Sequence, residues 1–218
     1  MGIPSGAQLL QNMLMLVPLL LSLTVHEWAH AYSAFLLGDD TAARMGRLTL
    51  NPIPHIDPFG TILCPLLGVP FGWAKPVPIN PMRFRRDVSM RAGIMLTAAA
   101  GPASNLVLAF LAAVTYGLLL RYGVFGFHRS GPQVLLLRGI ELNLALCVFN
   151  LIPIPPLDGS RVADGLVPYR LRPMWEQFTR YSWLALLAVI ILGGSYIAVP
   201  IGWMDGHLRE LILFIAGR

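Results

Sequence analysis

Four long runs of apolar residues dominate the chain, and polar stretches separate them. The runs cover about residues 8–37, 92–120, 134–152 and 181–199. A helix rises about 1.5 Å per residue, so each run is long enough to cross a hydrocarbon core of about 30 Å. The composition agrees, since 56% of the residues are hydrophobic and 12% are charged, which is roughly half the charged share of a soluble domain. The pattern predicts an all-α polytopic membrane protein with about four transmembrane helices, built as one domain over residues 1–218.

The stretch between the first two runs, residues 41–90, is rich in proline and glycine and predicts no span. Within it, Arg47–Leu50 and Trp73–Ile79 are predicted to be short extended strands, because the prolines of this stretch exclude a helix interior. Thr61–Phe71 is apolar but too short to cross, and two prolines interrupt it. Such a segment is re-entrant or interfacial. We therefore expect a short Pro-rich β-hairpin or re-entrant segment after the first span.

The last part of the chain, about residues 205–217, is too short to span but has apolar residues at helical spacing. These residues are Leu208, Leu211, Ile212 and Ile215. The spacing predicts an amphipathic C-terminal helix that lies on the membrane.

The distribution of basic residues predicts the orientation. Eleven of them lie in the stretches after the first and third runs, whereas the loop after the second run carries only Arg121 and Arg129. Loops rich in basic residues face the cytoplasm. We therefore expect a multi-pass protein of the cell membrane with both termini outside. The same loops account for the net charge of +5, so the lipid bilayer, and no nucleic acid, is the expected partner.

A His-Glu-x-x-His motif lies inside the first run, at His26, Glu27 and His30. Residues four apart stack on one face of a helix, so the two imidazoles can bind one metal ion. Glu27 is then placed to take a proton from water at the metal. An ionised side chain at mid-bilayer costs roughly 2.5–3.5 kcal/mol on insertion scales. Because such a cost is usually tolerated for function, we favour a metal site over a chance match.

A catalytic zinc usually has three protein ligands and one open position, so a third ligand is needed. The candidates are His55, Asp57, Glu141 and Asp158. Asp158 is favoured, because the prolines before it force extended backbone at the cytoplasmic end of the third run. Non-helical backbone in a membrane is tolerated where it is buried in protein or lines a wet cavity. The alternative is a polar cap where the helix leaves the membrane.

Five stretches of the chain resemble, in the same order, the site-2 protease family of intramembrane zinc metalloproteases. They are His26–His30, Asn51–Gly60, Gly72–Pro78, Gly101–Asn105 and Asn150–Gly159. The resemblance implies that His26, His30 and Asp158 hold one zinc ion and that Glu27 is the catalytic base. It also implies a three-helix catalytic core and an active site that faces the cytoplasm. Ser160 departs from the pattern, since many relatives have a second glycine there. No stretch is long enough for a PDZ or CBS domain, so the chain resembles a minimal member.

The resemblance implies hydrolysis of peptide bonds within or near transmembrane helices of single-span membrane proteins, as in regulated intramembrane proteolysis. No small-molecule cofactor is expected. A substrate helix must unwind locally, because its own hydrogen bonds shield each peptide bond. Two other functions use the same residues: a membrane metal transporter, and a scaffold that binds membrane helices without cutting them. Residues 9–23 offer no polar path for a transporter, and binding alone would not need Glu27.

Two asparagines on spans near the motif, Asn105 and Asn150, are candidates to bind the substrate backbone or the oxyanion. Hydrogen bonds between helices would explain both of them equally well. His55 and Asp57 are candidates to support the metal ligands or to gate the site, although a structural role as loop caps is favoured.

The remaining polar and sulfur-containing residues of the spans receive less specific predictions. Glu141 and Asn143 are expected to pack or to snorkel, and Cys64 and Cys147 to be packing residues rather than a disulfide. His128 and His207 are expected outside the membrane and receive no role.

Overall fold

The computed structural model describes residues 4–69, 72–125 and 131–217. Nine α-helices lie within these ranges: α1 Gly6–Leu36, α2 Thr41–Arg44, α3 Cys64–Leu66, α4 Met90–Arg121, α5 Gly131–Asn150, α6 Asp158–Leu166, α7 Arg172–Arg180, α8 Ser182–Leu192 and α9 Gly194–Ala216. Three single 3-10 turns, Ile53–His55, Pro81–Arg83 and Tyr169–Leu171, and a π-helical turn, Pro58–Leu63, complete the described secondary structure.

Three helices are long and apolar enough to cross a membrane: α1, α4 and α5. Their bounds agree with the first three predicted runs to within three residues. Helices α8 and α9 qualify together as a fourth element, but they meet at a bend of 70°. The chain is therefore a multi-pass helical membrane protein with three to four spans.

Helix α4 lies at the centre of the bundle and packs against α1, α5, α6 and α9. Small residues on α4, Ala109 and Ala113, are fully buried against Ile140 and Leu144 of α5. Small side chains let helix backbones approach closely, which is how helices pack tightly in lipid. The three-helix unit of α1, α4 and α5 forms the frame in which the candidate site lies.

The stretch between α1 and α4 folds back along α1. Its backbone amides at Val77 and Asn80 donate to the carboxylates of Glu27 and Asp39, at 2.8 and 2.6 Å. Further along, the Arg85 amide donates to the carbonyl of Leu37 at 2.8 Å. These contacts fix residues 77–85 beside the half of α1 that carries the His-Glu-x-x-His motif.

The predicted β-hairpin is wrong: the described residues contain no strand. Residues 48–50 form a bend, and Trp73–Ile79 is extended without pairing to another strand. Amides of this segment donate one by one to separate partners: Trp73 to the Gly60 carbonyl, Lys75 to the His55 carbonyl and Val77 to the Glu27 carboxylate. The alternate positions 76 and 78 are prolines, which have no N–H to give a ladder.

The predicted apolar segment at Thr61–Phe71 is a short helical excursion. The π-helical turn continues into α3, and the chain reverses at Gly68, which has a positive φ of 77°. Helix α3 packs against α1, where the Asn12 side-chain amide donates to the Leu66 carbonyl at 3.0 Å. Pro70 and Phe71 lie outside the described residues.

The predicted boundary between a fourth span at 181–199 and a separate surface helix at 205–217 is also wrong. The helix breaks earlier, at Gly193, because adjacent glycines interrupt helices readily. Helix α9 then continues unbroken to Ala216 and packs against α4 and α5, with Ile212 buried. The apolar face predicted to lie on the membrane instead contacts the bundle. The predicted loop before α5 contains His128 and Arg129, which lie outside the described residues.

Candidate metal centre

Helix α1 brings the two motif histidines together. His26 and His30 are one helical turn apart, and their Nε2 atoms lie 3.0 Å from each other. Oδ2 of Asp158 lies 3.2 Å from each of these nitrogens. All three side chains are buried, and among the described residues they form the one cluster of three metal-ligating groups.

The turn after α5 delivers Asp158 to this point. The chain leaves α5 at Asn150, and Asp158 is the first residue of α6. A Cβ at Gly159 would lie 2.2 Å from the carbonyl oxygen of Leu151. Glycine therefore lets α6 start directly against the end of α5, with the Asp158 carboxylate turned towards α1. Helix α6 also packs against α4, which holds the carboxylate in place.

The hydrogen bonds that both histidines donate to α4 define which nitrogen of each imidazole is free. Nδ1 of His30 lies 2.7 Å from the Thr97 carbonyl, and Nδ1 of His26 lies 2.6 Å from Oδ1 of Asn105. The Asn105 amide nitrogen donates to Asn143 at 2.8 Å, so its oxygen is the atom that faces His26. Carbonyl and carboxamide oxygens only accept, so both Nδ1 atoms carry the proton. Each Nε2 therefore presents a lone pair to Asp158.

This geometry fits a zinc ion. A tetrahedral zinc with ligand bonds of about 2.0–2.1 Å separates its ligand atoms by about 3.3–3.4 Å. The three edges in this protein are 3.0, 3.2 and 3.2 Å. Three electron-pair donors that face one another without a proton between them repel, and a cation at the centre removes that repulsion. The donor set is also chemically suitable, since imidazole and carboxylate are both zinc ligands.

The third ligand is held in its charged form. One oxygen of Asp158, Oδ2, faces the two histidine nitrogens. A nearby positive charge favours the ionised form of a carboxyl group. The other carboxylate oxygen, Oδ1, lies 4.0 Å from the guanidinium of Arg161. A carboxylate that stays ionised is the form that binds metal.

A glycine on α4, Gly101, leaves room for the two imidazoles although the helix backbone passes close to them. A Cβ at Gly101 would lie 2.4 Å from Nε2 of His30 and 2.7 Å from Cε1 of His26. The space beside the ligands exists because this position of α4 has no side chain. The sequence analysis named Gly101 only within a stretch that carries the family resemblance and did not connect it to the space around the metal ligands.

A cavity of about 480 Å³ opens beside the three ligands. Glu27 lines this cavity, and its Oε2 accepts the Val77 amide hydrogen at 2.8 Å. The extended segment forms one wall with Trp73, Ala74, Pro76, Val77 and Ile79. One cavity is thus lined by the three candidate metal ligands, by the Glu27 carboxylate and by a segment of extended backbone.

The other candidates from the sequence fall into two groups. Asn150 lines the cavity, and its amide donates to the Leu146 carbonyl at 3.0 Å. Asn105 is fully buried between helices, and its amide group bonds to His26, Asn143 and Ser22. That position favours the interhelical alternative for Asn105: it supports a ligand and does not line the cavity.

The three other candidate ligands lie apart from the cluster. His55 is buried, with Nε2 2.9 Å from the Thr49 carbonyl, and its own carbonyl accepts from Lys75. Asp57 caps the π-helical turn by accepting from the amides of Phe59 and Gly60. Glu141 bonds to Arg138 at 2.8 Å. These contacts are structural, as favoured for His55 and Asp57.

Residues that sequence reasoning missed act through backbone groups or from a distance. Thr97 contributes a carbonyl and Val77 an amide, which every residue other than proline could supply. No side-chain pattern in the sequence could have identified them. Arg161 was counted only as a loop cation, although it lines the cavity.

A membrane-spanning helical bundle with a buried three-ligand metal site next to a cavity carboxylate is the arrangement of a membrane-embedded metallohydrolase. Comparisons with known proteins identify the class more closely. Residues 125–193 match the model of Peptidase family M50. This range contains Asp158 but neither histidine ligand.

Relatives over most of the chain carry metalloprotease names. The chain is 43% identical over 189 residues to "Putative zinc metalloprotease YwhC" of Bacillus subtilis, covering 85% of this chain and 84% of that protein. It is 30% identical over 179 residues to "Putative zinc metalloprotease Rip2" of Mycolicibacterium smegmatis, covering 79% of this chain and 64% of that protein. No solved structure matches significantly. The chain belongs to peptidase family M50, the site-2 protease family of membrane zinc metalloproteases.

Proposed function

We propose that this protein hydrolyses peptide bonds within or near transmembrane helices of single-span membrane proteins, in regulated intramembrane proteolysis. The observation that carries the proposal is that His26, His30, Asp158 and Glu27 all line one cavity. Its ligand atoms lie inside a bundle of membrane-spanning helices. A substrate reaching them must come from the membrane or its surface.

In this proposal His26, His30 and Asp158 hold one zinc ion per chain. Zinc, when bound, supplies a Lewis acid that lowers the pKa of water and polarises a peptide carbonyl. Asn105 and the Thr97 carbonyl keep both imidazoles in the tautomer that presents Nε2. Such supporting contacts orient the ligands and raise their basicity.

Glu27 acts as the general base and then as the general acid. Its carboxylate faces the cavity and is held by the Val77 amide through one oxygen, Oε2. The other oxygen accepts the proton from the attacking water. Glu27 then returns that proton to the departing amine nitrogen, so the enzyme ends the cycle unchanged.

The extended wall of the cavity suits an unwound substrate. A peptide bond inside a helix is shielded by its own hydrogen bonds, so the substrate must be stretched before attack. Amides of Trp73, Lys75 and Val77 are already bonded within the protein. The carbonyls of Trp73 and Lys75 also accept hydrogen bonds within the protein, from Thr61 and Arg47. The segment can therefore pair with a substrate mainly by accepting hydrogen bonds through its other carbonyls.

In this proposal, the orientation of the chain in the membrane follows from the distribution of its basic residues. Eleven basic residues lie in the stretches after the first and third spans, which places those stretches in the cytoplasm. The active site then faces the cytoplasmic side of the cell membrane, and both termini lie outside. Cysteine labelling from either side of sealed vesicles, at a single added cysteine near Tyr169, tests this orientation.

The function is tested with Glu27→Gln. The purified full chain and the variant are compared for zinc content and for cleavage of a reporter single-span helix in lipid nanodiscs. We expect retained zinc and a loss of cleavage of at least about 10²-fold. Glu176→Gln, which neutralises an exposed glutamate on α7, is the matched control. Full cleavage by Glu27→Gln would end the assignment of the base.

The same preparations separate the proposed function from its alternatives. Zinc flux into sealed vesicles that requires Asp158, without cleavage of any helix, would replace the protease with a transporter. Zinc retention and reporter binding without cleavage by the wild-type chain would replace it with a scaffold. Cleavage abolished by chelation and restored by zinc supports the protease.

A further inference from the structure

Arg161 places a permanent positive charge beside the candidate metal centre. It lies on α6 three residues after Asp158, so the two side chains share a helix face. Its Nη1 lies 4.0 Å from Oδ1 of Asp158, whose Oδ2 is 3.2 Å from both histidine nitrogens. The Asp158 carboxylate therefore lies between the guanidinium and the two histidine nitrogens.

The guanidinium is available to a ligand in the cavity. Its side chain is 56% exposed, and at 4.0 Å its contact with Asp158 is longer than a hydrogen bond. Arginine carries five N–H donors in a rigid fork. Among the described residues that line the cavity, Arg161 is the single cation.

Two other donors on the cavity wall are already in use. The Val77 amide bonds to Glu27, and the Asn150 amide donates to the Leu146 carbonyl. Arg161 is therefore the charged donor of the cavity whose hydrogens the protein itself does not consume, among the residues that the structure describes.

We infer that Arg161 is a catalytic residue: its guanidinium binds the oxygen that becomes negative when water adds to the scissile carbonyl. The inference rests on the proposed proteolytic function. Water oxygen forms a bond to the carbonyl carbon, and the C=O π pair moves onto the carbonyl oxygen. Glu27 holds the proton that the water lost. Arg161 donates hydrogen bonds to the new oxyanion and transfers no proton, since guanidinium stays charged.

Collapse of this species completes the reaction. The oxyanion pair re-forms the C=O bond, and the C–N bond breaks. The departing nitrogen takes the proton from Glu27. Because the charge on oxygen develops only in the transition state, Arg161 contributes to kcat far more than to substrate binding.

The test compares Arg161→Gln, Arg161→Lys and the control Arg170→Gln in the full zinc-loaded chain. Arg170 is an exposed arginine that does not line the cavity. Four quantities are measured: kcat, KM, zinc content and affinity for a phosphinate peptide, which mimics the tetrahedral oxyanion. Two reporters are used, one with acidic residues near the scissile bond and one with neutral residues there.

For Arg161→Gln we expect kcat to fall about 10²–10³-fold on both reporters, as for loss of an oxyanion donor. KM and zinc content should stay within about twofold, because the lost interaction belongs to the transition state. Phosphinate affinity should fall by at least about tenfold, and Arg161→Lys should retain an intermediate kcat. Arg170→Gln should match the wild type.

Three results would overturn the inference. Zinc loss in Arg161→Gln, with activity restored by excess zinc, would mean that Arg161 only positions Asp158. A loss of kcat confined to the acidic reporter would make it a substrate-recognition residue. An unchanged affinity of Arg161→Gln for the phosphinate peptide would show that Arg161 does not contact the oxyanion. This last measurement needs no cleavage, so it tests Arg161 even if the proposed proteolysis fails in the wild type.

Discussion

Oδ1 of Asn105 accepts a hydrogen bond from Nδ1 of His26 at 2.6 Å, across 79 positions of sequence. The same asparagine donates to Asn143 and to the Ser22 carbonyl, so one amide links α4, α5 and α1. A buried polar network of this kind fixes a geometry when all of its members are satisfied. Asn105 thus contributes both to the packing of three helices and to the orientation of a metal ligand.

Replacing this amide should weaken metal binding. For Asn105→Ala we expect zinc affinity to fall about 10–100-fold, because His26 loses the partner that fixes its tautomer and orientation. Competition with a zinc chelator measures the affinity. Thr115→Ala on α4 is the control, since its hydroxyl donates to the Leu111 carbonyl of the same helix and not to a metal ligand or to Asn105. Equal losses in both variants would mean that general packing, and not the His26 contact, supports the metal.

A methyl group at Gly101 should displace the ligands without breaking α4. For Gly101→Ala we expect a loss of zinc affinity of at least about tenfold, because the new Cβ would lie 2.4 Å from Nε2 of His30. Alanine is a better helix former than glycine, so circular dichroism should show unchanged helicity.

The matched control for this change is Gly202→Ala on α9, where an added Cβ meets nothing within 4 Å. It should raise stability by roughly 0.5–1 kcal/mol and leave zinc binding unchanged. A Gly101→Ala variant that binds zinc like the wild type would contradict the observed closeness of α4 to the ligands.

The backbone amide of Val77 can be removed by a single substitution. Val77→Pro deletes the N–H that donates to Glu27 at 2.8 Å. We expect kcat to fall roughly 10–100-fold, the effect of losing one hydrogen bond to a charged group, while zinc content stays unchanged. Val77→Ala keeps the amide and should cleave the reporter at a rate close to that of the wild type. If both variants lose activity equally, the valine side chain matters and the amide does not.

Zinc should stabilise the folded chain through the three-ligand cluster. At a free zinc concentration about 100 times Kd, linkage predicts a gain of about 2.7 kcal/mol. Thermal unfolding in detergent, with zinc and with chelator, measures the shift. Asp158→Asn should show little response to zinc, whereas His207→Ala, an exposed histidine outside the cluster, should respond fully. An undiminished response in Asp158→Asn would show that another group completes the site.

Much of the architecture could be predicted from local properties of the chain. The positions of α1, α4 and α5 follow from hydropathy, because each helix satisfies its own backbone and needs only an apolar surface to enter lipid. The spacing of His26 and His30 fixes their shared face for the same local reason. The C-terminal region was harder, since hydropathy does not show that the helix breaks at Gly193 and that α9 packs on α4.

Local sequence was enough to predict the first three spans, the pair of imidazoles and Asp158 as the favoured third ligand, because apolar length, helical periodicity and ligand chemistry belong to individual segments. The surroundings of these residues became visible only in the folded chain: the Thr97 carbonyl, the space at Gly101, the Val77 amide and the guanidinium of Arg161. These are two backbone groups, an empty volume and one side chain, each positioned by helices or segments far apart in sequence. Residue type does not encode them, so they exist only once α4, α6 and the extended segment have packed against α1.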